Sequence, residues 1–276
     1  TVITIFVVSK SYTQIIELFP SGGGGYLVAS KLLSPTAGMV SGCALLIDYV
    51  LTITLSIASG ADAIFSFMPP QWHHYKITFA IAGVLLLIVM NLRGVKEAVL
   101  PLVPIFLIFI AMHCIAIGYA VITHLFNLPE VMQATLRDAQ ASRSELGLMG
   151  TVLLILRAYS MGAGTFTGIE AVSNGLPILR EPRVETAKST MRYMAWSLAL
   201  AVMGLMFASV LYGVEAVPGK TLNAVLLEKI VLGWPGTSGY WFVLITLISE
   251  AVLLFVAAQT GFLDGPRVLA NMAVDS

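Results

Sequence analysis

Two carboxylates stand inside otherwise apolar stretches of this chain, where a charged group is costly. Asp48 lies near the middle of the apolar run 37–65, and Glu170 follows a run rich in glycine and threonine. A charge at the centre of a bilayer costs at least about 2.5–3.5 kcal/mol, so such acids are candidate functional residues. We therefore expect Asp48 and Glu170 to mark the functional site.

The polar residues around Asp48 fall on one side of a helix. At about 100° per residue, Thr52 lies about 40° and Ser56 about 80° from Asp48. The complete stripe spans about 140° and consists of Asp48, Tyr49, Thr52, Ser56, Ser59 and Asp62. Hydroxyl groups often bond only to their own helix, which is the alternative explanation. A carboxylate aligned with several hydroxyls favours a polar pathway or binding site.

The segment before Glu170 is a poor helix former. Gly162, Gly164 and Gly168 stand among hydroxyl-bearing residues there, and each glycine costs about 1 kcal/mol in a helix. We predict a helix interrupted between Ser160 and Gly168. In transporters, unwound backbone at membrane depth is where substrates bind. The alternative is a glycine-packed kink in which Glu170 pairs with Arg157, about 20 Å away along a straight helix.

The composition indicates which elements must position these residues. Of the 276 residues, 58% are hydrophobic and 11% are charged, and the mean hydropathy is +0.90. A soluble domain usually carries about a quarter charged residues, and a membrane helix needs about 20 apolar ones. We predict spans at about 36–65, 75–91, 98–125, 146–170, 193–214 and 238–263, after a partial span that ends at Val8. The formal net charge is zero, and we expect no nucleic-acid partner.

The chain opens within an apolar run and stops soon after another, so we expect a fragment of one transmembrane domain, 1–276, incomplete at both ends. Loops on the side of residues 9–35 carry nine basic residues and the opposite loops carry five. The positive-inside rule therefore predicts that residues 9–35 are cytoplasmic.

Other site classes lack the required patterns. The glycine tract 21–26 has no Gly-Lys-Ser/Thr ending and no βαβ frame, so we interpret it as a bend or a close helix approach rather than a phosphate loop. No His-Glu-x-x-His motif or plausible triad is present, so we predict no enzyme and no cofactor. We interpret His113 as a packing residue, with a proton relay as the alternative.

Four motifs together resemble the amino acid–polyamine–organocation superfamily. They are Phe19-Pro20-Ser21-Gly22-Gly23-Gly24-Gly25-Tyr26, Leu46-Ile47-Asp48-Tyr49-Val50-Leu51-Thr52, Asn91-Leu92-Arg93-Gly94-Val95-Lys96-Glu97 and Phe166-Thr167-Gly168-Ile169-Glu170-Ala171-Val172-Ser173-Asn174-Gly175. The resemblance is greatest to the branch related to KUP-type potassium importers, whose members are often labelled amino acid permeases. It extends over nearly the whole chain, except that residues 259–267 depart from the branch's pattern in the eighth helix.

The resemblance implies an all-α integral membrane protein with the LeuT-type inverted-repeat fold, of which this chain is about helices 2 to 8 of 12. It implies proton-coupled potassium uptake through a midplane site between helices 3 and 6. The implied site residues, which would also hold the potassium ion, are Asp48, Tyr49, Thr52, Ser56, Thr167 and Glu170. It further implies a multi-pass protein of the plasma (inner) membrane, in contact with the lipid bilayer, and allows a homodimer of the full-length form.

The chemistry of these residues fits a monovalent cation. K⁺ prefers oxygen ligands, and the carboxylates and hydroxyls of the implied site offer only oxygen. Two nearby carboxylates in a medium of low dielectric cannot both stay ionised without a cation, so one would take up a proton when K⁺ leaves. An amino acid or polyamine permease of the same superfamily is the alternative. A carboxylate-lined site favours a cation or a cationic amine over a neutral amino acid.

Overall fold

The computed structural model describes residues 1–20, 22, 24–93, 102–166 and 168–275. Within these residues every regular element is helical. The α-helices are α1 (Val2–Leu18), α2 (Gly24–Val28), α3 (Pro35–Phe65), α4 (Lys76–Arg93), α5 (Leu102–His124), α6 (Leu128–Met161), α7 (Ile169–Asn174), α8 (Arg183–Leu211), α9 (Leu222–Ile230) and α10 (Ser238–Asp275). A π-helical turn continues α2 over Ala29–Leu33, and short 3₁₀ turns occupy Pro70–Tyr75, Gly162–Phe166 and Leu176–Ile178.

Six helical stretches among the described residues are long and apolar enough to cross a membrane. They are Pro35–Phe65, Pro70–Leu92, Leu102–His124, Leu128–Asn174, Arg183–Leu211 and Ser238–Val274. Each overlaps one of the six full spans predicted from hydropathy, which confirms the all-helical membrane class. The predicted start of the span at about 98–125 lies outside the described residues.

The first helix is longer than the sequence predicts. The opening span was expected to end at Val8, but α1 continues to Leu18. The polar side chains that suggested a loop are bonded to α8 instead. Ser9 donates to the Met191 carbonyl at 3.4 Å, and Lys188 contacts Glu17 at 2.6 Å. Much of the predicted connection 9–35 is therefore helical.

The predicted loop before the broken span is also helical. The span was expected to begin near residue 146, but α6 begins at Leu128. Pro129 at the first turn and Glu130 behind it suit a helix start. Gly147 then interrupts the helix with φ 66° and ψ 177°, a conformation that glycine adopts at little cost. The span start predicted near residue 146 therefore lies beside a kink within α6.

The last helix packs along α3 through small residues. It was predicted to end near 263 but continues to Asp275 with Pro266 inside it. Gly261 lies so close to α3 that an added Cβ would stand 2.8 Å from the Tyr49 carbonyl oxygen. An added Cβ on Gly60 of α3 would likewise stand 2.8 Å from Cδ2 of Phe255 in α10. The segment 259–267, which departs from the pattern of the related branch, thus packs against α3 at Gly261.

Two apolar clusters join α1, α5, α7, α8, α9 and α10. One combines Ala116 of α5 and Ala208 of α8 with Leu226 of α9 and Leu247 of α10, each at most 1% exposed. The other joins Ile16 of α1 and Met191 of α8 to Ile169 and neighbours at α7. The short helices α7 and α9 are therefore held within the helical assembly by apolar packing.

Candidate functional site

The chain is interrupted where the glycine and threonine residues predict a break. Helix α6 ends at Met161, a 3₁₀ turn covers Gly162–Phe166, and α7 begins at Ile169. Gly168 caps α7 with φ 94°, a left-handed conformation that favours glycine. The predicted interruption between Ser160 and Gly168 is confirmed. Thr167, a predicted site residue, lies outside the described residues.

The polar stripe of α3 faces this interruption across an open cavity of about 450 Å³. The polar lining comes from Asp48, Thr52, Ser56 and Ser59, and the opposite wall includes Ala163 and Gly164. Helix α10 contributes Leu254. Three of the predicted site residues, Asp48, Thr52 and Ser56, therefore share one cavity with the backbone of the broken segment.

The hydroxyl groups in this cavity are available as ligands. Thr54, outside the stripe, donates to the Val50 and Leu51 carbonyls of its own helix at 3.0 Å. Within the described part of the chain, the Thr52 and Ser56 hydroxyls form no such bond. The alternative that the stripe only bonds its own helix therefore does not describe these two residues. Asp62, the last residue of the stripe, does not line the cavity, and its carboxylate lies 2.6 Å from the Lys76 ammonium.

Glu170 lies in the first turn of α7 and does not line the Asp48 cavity. Its two carboxylate oxygens accept from the Gly168 backbone N–H at 3.3 and 3.2 Å. Its carboxylate nevertheless lies near enough to Asp48 for the two charges to interact. Tyr12 of α1 lies within the same electrostatic range of both acids. The pairing with Arg157 is not observed among the described residues, since Glu170 bonds to the start of its own helix instead.

Tyr49 points away from the Asp48 cavity into a buried polar cluster. Its side chain is 3% exposed, and its hydroxyl accepts from Asn174 Nδ2 at 2.8 Å. On α10, Gly265 lies beside the Tyr49 ring, and the adjacent Asp264 is 4% exposed with its carboxylate 3.5 Å from Arg267. The cluster therefore joins α3, α7 and α10. Sequence reasoning missed Asn174 and Asp264, although Asn174 stands one helical turn after Glu170 and Asp264 is an acid near the end of a span.

The glycine tract approaches this cluster closely. Gly24 has φ 51°, and a Cβ on it would collide with the Asn174 side chain. Gly22 has φ 84°, and its Cβ would stand 3.0 Å from Pro177 Cδ. These contacts confirm the interpretation as a close approach rather than a phosphate loop. Ser21 and Gly23 lie outside the described residues.

Removing the Tyr49 hydroxyl is expected to destabilise the protein. Tyr49→Phe keeps the ring but leaves the buried Asn174 amide without this partner, which costs about 1–2 kcal/mol. The measurement is the thermal unfolding midpoint of the purified protein in lipid nanodiscs. Tyr193→Phe is the matched control, because Tyr193 is 78% exposed. Equal midpoints for the two variants would contradict a stabilising role for the Tyr49–Asn174 bond.

An interrupted membrane helix that faces a polar stripe is typical of secondary transporters. The family model for amino acid permeases matches residues 1–276, so the chain belongs to the amino acid permease family and is an integral, multi-pass membrane protein. It is 34% identical over 278 residues to the potassium transporter KimA of Bacillus subtilis, covering 99% of this chain and 43% of that protein. It is 30% identical over 97 residues to the low-affinity putrescine importer PlaP of Escherichia coli, covering 34% of this chain and 20% of that protein.

The chain thus spans less than half the length of these curated relatives. The family and both relatives are membrane transporters rather than enzymes, as the sequence predicts. The resemblance to the amino acid–polyamine–organocation superfamily and to its potassium-importing branch is confirmed at the level of the family and of one relative.

Proposed function

We propose that the whole protein takes up K⁺ together with protons, through a site between α3 and the broken segment before α7. The observation that carries the proposal is the cavity in which Asp48, Thr52 and Ser56 face the backbone at Ala163 and Gly164. A carboxylate, two free hydroxyls and nearby carbonyl groups form an all-oxygen ligand set of the kind that K⁺ prefers. The 34% identity to a potassium transporter over 99% of this chain supports the same cation.

In this proposal the six site residues have different roles. Asp48, Thr52 and Ser56 bind the ion, Thr167 adds a further hydroxyl, and Glu170 carries the coupled proton. Tyr49 holds α7 against α3 through Asn174 rather than touching the ion. Glu170 suits a proton carrier because its charge interacts with Asp48, and a cation between the two acids would compete with a proton.

Further parts of the proposal concern the complete molecule. We propose the LeuT-type inverted-repeat architecture, residence in the plasma (inner) membrane, cytoplasmic placement of residues 9–35, and a homodimer. The interruption before α7 supports the architecture, because broken helices line the binding site in that fold. The excess of basic residues in the loops on that side supports the orientation.

The second candidate function is uptake of an amino acid or a polyamine. The similarity to a putrescine importer favours a cationic amine, and an Asp48 carboxylate would attract an ammonium group as well as K⁺. Uptake of rubidium or potassium by the complete protein, measured with and without amino acids and putrescine, separates the two. We expect saturable cation uptake that these amines do not inhibit. Amine uptake in a protein indifferent to K⁺ would establish the second candidate instead.

A further inference from the structure

A second cavity, with a largely apolar surface, lies outside the proposed ion site, where α5, α8, α9 and α10 meet. It has a volume of about 320 Å³, and its polar lining consists of His113, Asn223 and Glu250. The remaining wall is apolar and includes Phe109 and Leu205. Leu254 lines both this cavity and the Asp48 cavity. The two cavities are therefore neighbours that share Leu254 as a lining residue.

Only one of the two carboxylate oxygens of Glu250 has a hydrogen-bond partner among the described residues. Asn223 of α9 donates to one carboxylate oxygen, Oε1, at 3.0 Å. The other oxygen, Oε2, is shielded from solvent and has no hydrogen-bond partner among the described residues. An ionised carboxylate accepts hydrogen bonds through both oxygens, and leaving one oxygen of a buried charge unpaired is strongly unfavourable. An uncharged carboxylic acid removes that penalty and turns Oε2 into a donor.

No described cation is placed to neutralise Glu250. On α9, Lys229 donates to the carbonyl oxygens of Tyr212 and Gly213, and Glu228 is paired with Lys220 at 2.6 Å. Helix α8 contributes the apolar Leu205 to the cavity. From the described part of α10, Glu250 is the one titratable group that lines it, and α5 contributes His113. His113 is thus the single other titratable side chain that faces Glu250 from the described helices.

His113 is oriented to accept a proton. Its Nδ1 lies 2.8 Å from the Phe109 carbonyl oxygen, and because a carbonyl can only accept, Nδ1 must carry a hydrogen. In the neutral ring Nε2 is then an acceptor without a proton. His113 is 5% exposed, so this nitrogen has little access to bulk water. A buried acid with a donor oxygen and a buried imidazole with an acceptor nitrogen therefore line the same cavity.

We propose that Glu250 and His113 form a proton-binding site in the membrane, with one proton held on the Glu250 carboxyl at neutral pH. Among the described residues that line this cavity, Nε2 of His113 is the one titratable acceptor for a proton that leaves Glu250, and its uptake there yields a carboxylate and an imidazolium. The transfer leaves the net charge of the cavity unchanged, because the imidazolium compensates the carboxylate. The proposal does not rest on which solute the protein transports.

Infrared spectroscopy of the complete protein in lipid nanodiscs tests this site. The C=O stretching band of a carboxylic acid is separate from the stretching bands of a carboxylate. Subtracting the Glu250→Gln spectrum from the wild-type spectrum at neutral pH should leave the carboxylic acid band of one residue. Glu228→Gln is the matched control: its carboxylate is paired with Lys220, so that subtraction should leave carboxylate bands only.

Loss of carboxylate bands in the Glu250→Gln subtraction, with the carboxylic acid region unchanged, would overturn the proposal. If that variant does not fold, Glu250→Asp replaces it, and the carboxylic acid band should then shift in frequency rather than disappear. An unshifted band in a folded Glu250→Asp protein would overturn the proposal equally. His113→Phe supplies the second arm. Without the imidazole the proton has no titratable acceptor in the described lining, so the carboxylic acid band of Glu250 should persist to higher pH than in the wild type. A band that disappears over the same pH range in both proteins would exclude His113 from the site.

Discussion

Uptake of K⁺ by the complete protein should lose its dependence on pH when Glu170 is replaced by glutamine. The substitution keeps the shape of the side chain and removes its titratable proton. The amide oxygen of glutamine can still accept from the Gly168 N–H, so α7 should retain its start. The apparent affinity for K⁺ should change less than the pH response, because Glu170 does not line the Asp48 cavity. The measurement is the rate of rubidium or potassium uptake against pH.

Asp48→Asn is the companion variant. It should lower the apparent affinity for K⁺ more than it changes the pH dependence of uptake. It removes a charge from the ligand shell, and we take the loss of this ion–carboxylate contact to cost about as much as a hydrogen bond to a charged group, about 1.5–3 kcal/mol. The apparent affinity for K⁺ should therefore fall about ten- to a hundredfold, since 1.4 kcal/mol is about tenfold. Glu215→Gln is the control, because Glu215 is an exposed acid between α8 and α9. Wild-type affinity together with wild-type pH response in both variants would eliminate the proposed site.

Gly261→Ala should destabilise the protein by disturbing the contact between α3 and α10. The added Cβ would stand 2.7 Å from Ile53 Cγ1 and 2.8 Å from the Tyr49 carbonyl oxygen, and a backbone oxygen cannot rotate away. Overpacking of this kind costs about 1–3 kcal/mol. We expect a clear fall in the thermal unfolding midpoint and in the yield of monodisperse protein.

Gly118→Ala isolates the effect of contact from that of helix propensity. Gly118 is also inside a helix, α5, and an added Cβ there would meet nothing within 4 Å. Alanine is favoured over glycine in a helix by about 1 kcal/mol, so this variant should be unchanged or stabilised. Replacing glycine by alanine should therefore lower the thermal unfolding midpoint at position 261 and leave it unchanged or raise it at position 118. A fall of equal size at both would contradict the close packing of α3 against α10.

The six membrane spans could be predicted because each depends only on local composition. Errors arose where a polar residue has its partner far along the chain. The apolar run predicted that the first span ends at Val8, yet α1 continues, and Glu17 within it is paired with Lys188, which is 171 residues away in sequence. Hydropathy also contains no signal for an exposed helix such as the first part of α6, which has ordinary polar composition.

The residues of the candidate site were likewise predicted where local patterns locate them and missed where they depend on distant contacts. Helical periodicity correctly placed Asp48, Thr52 and Ser56 on one face, and the low helix propensity before Glu170 correctly located the break. The same periodicity gave Tyr49 a place in the stripe, but the structure directs it toward Asn174. The role of Asn174 depends on how α7 docks against α3, and no local pattern contains that information. Glu250, by contrast, is an acid inside the apolar span 238–263, so its position alone marks it as a candidate.

The bond between Tyr49 and Asn174 bears on how the molecule moves between conformations. Helix α7 has only six residues and is joined to α3 by this hydrogen bond, whereas α3 and α10 are locked together by glycines at backbone contact. A tilt of α7 away from α3 must break the bond, at a cost of about 1–3 kcal/mol. At equilibrium that cost corresponds to a minority population of the tilted state, roughly a sixth to a hundredth of the total. A bound cation that interacts better with one state by a similar free energy can reverse the two populations.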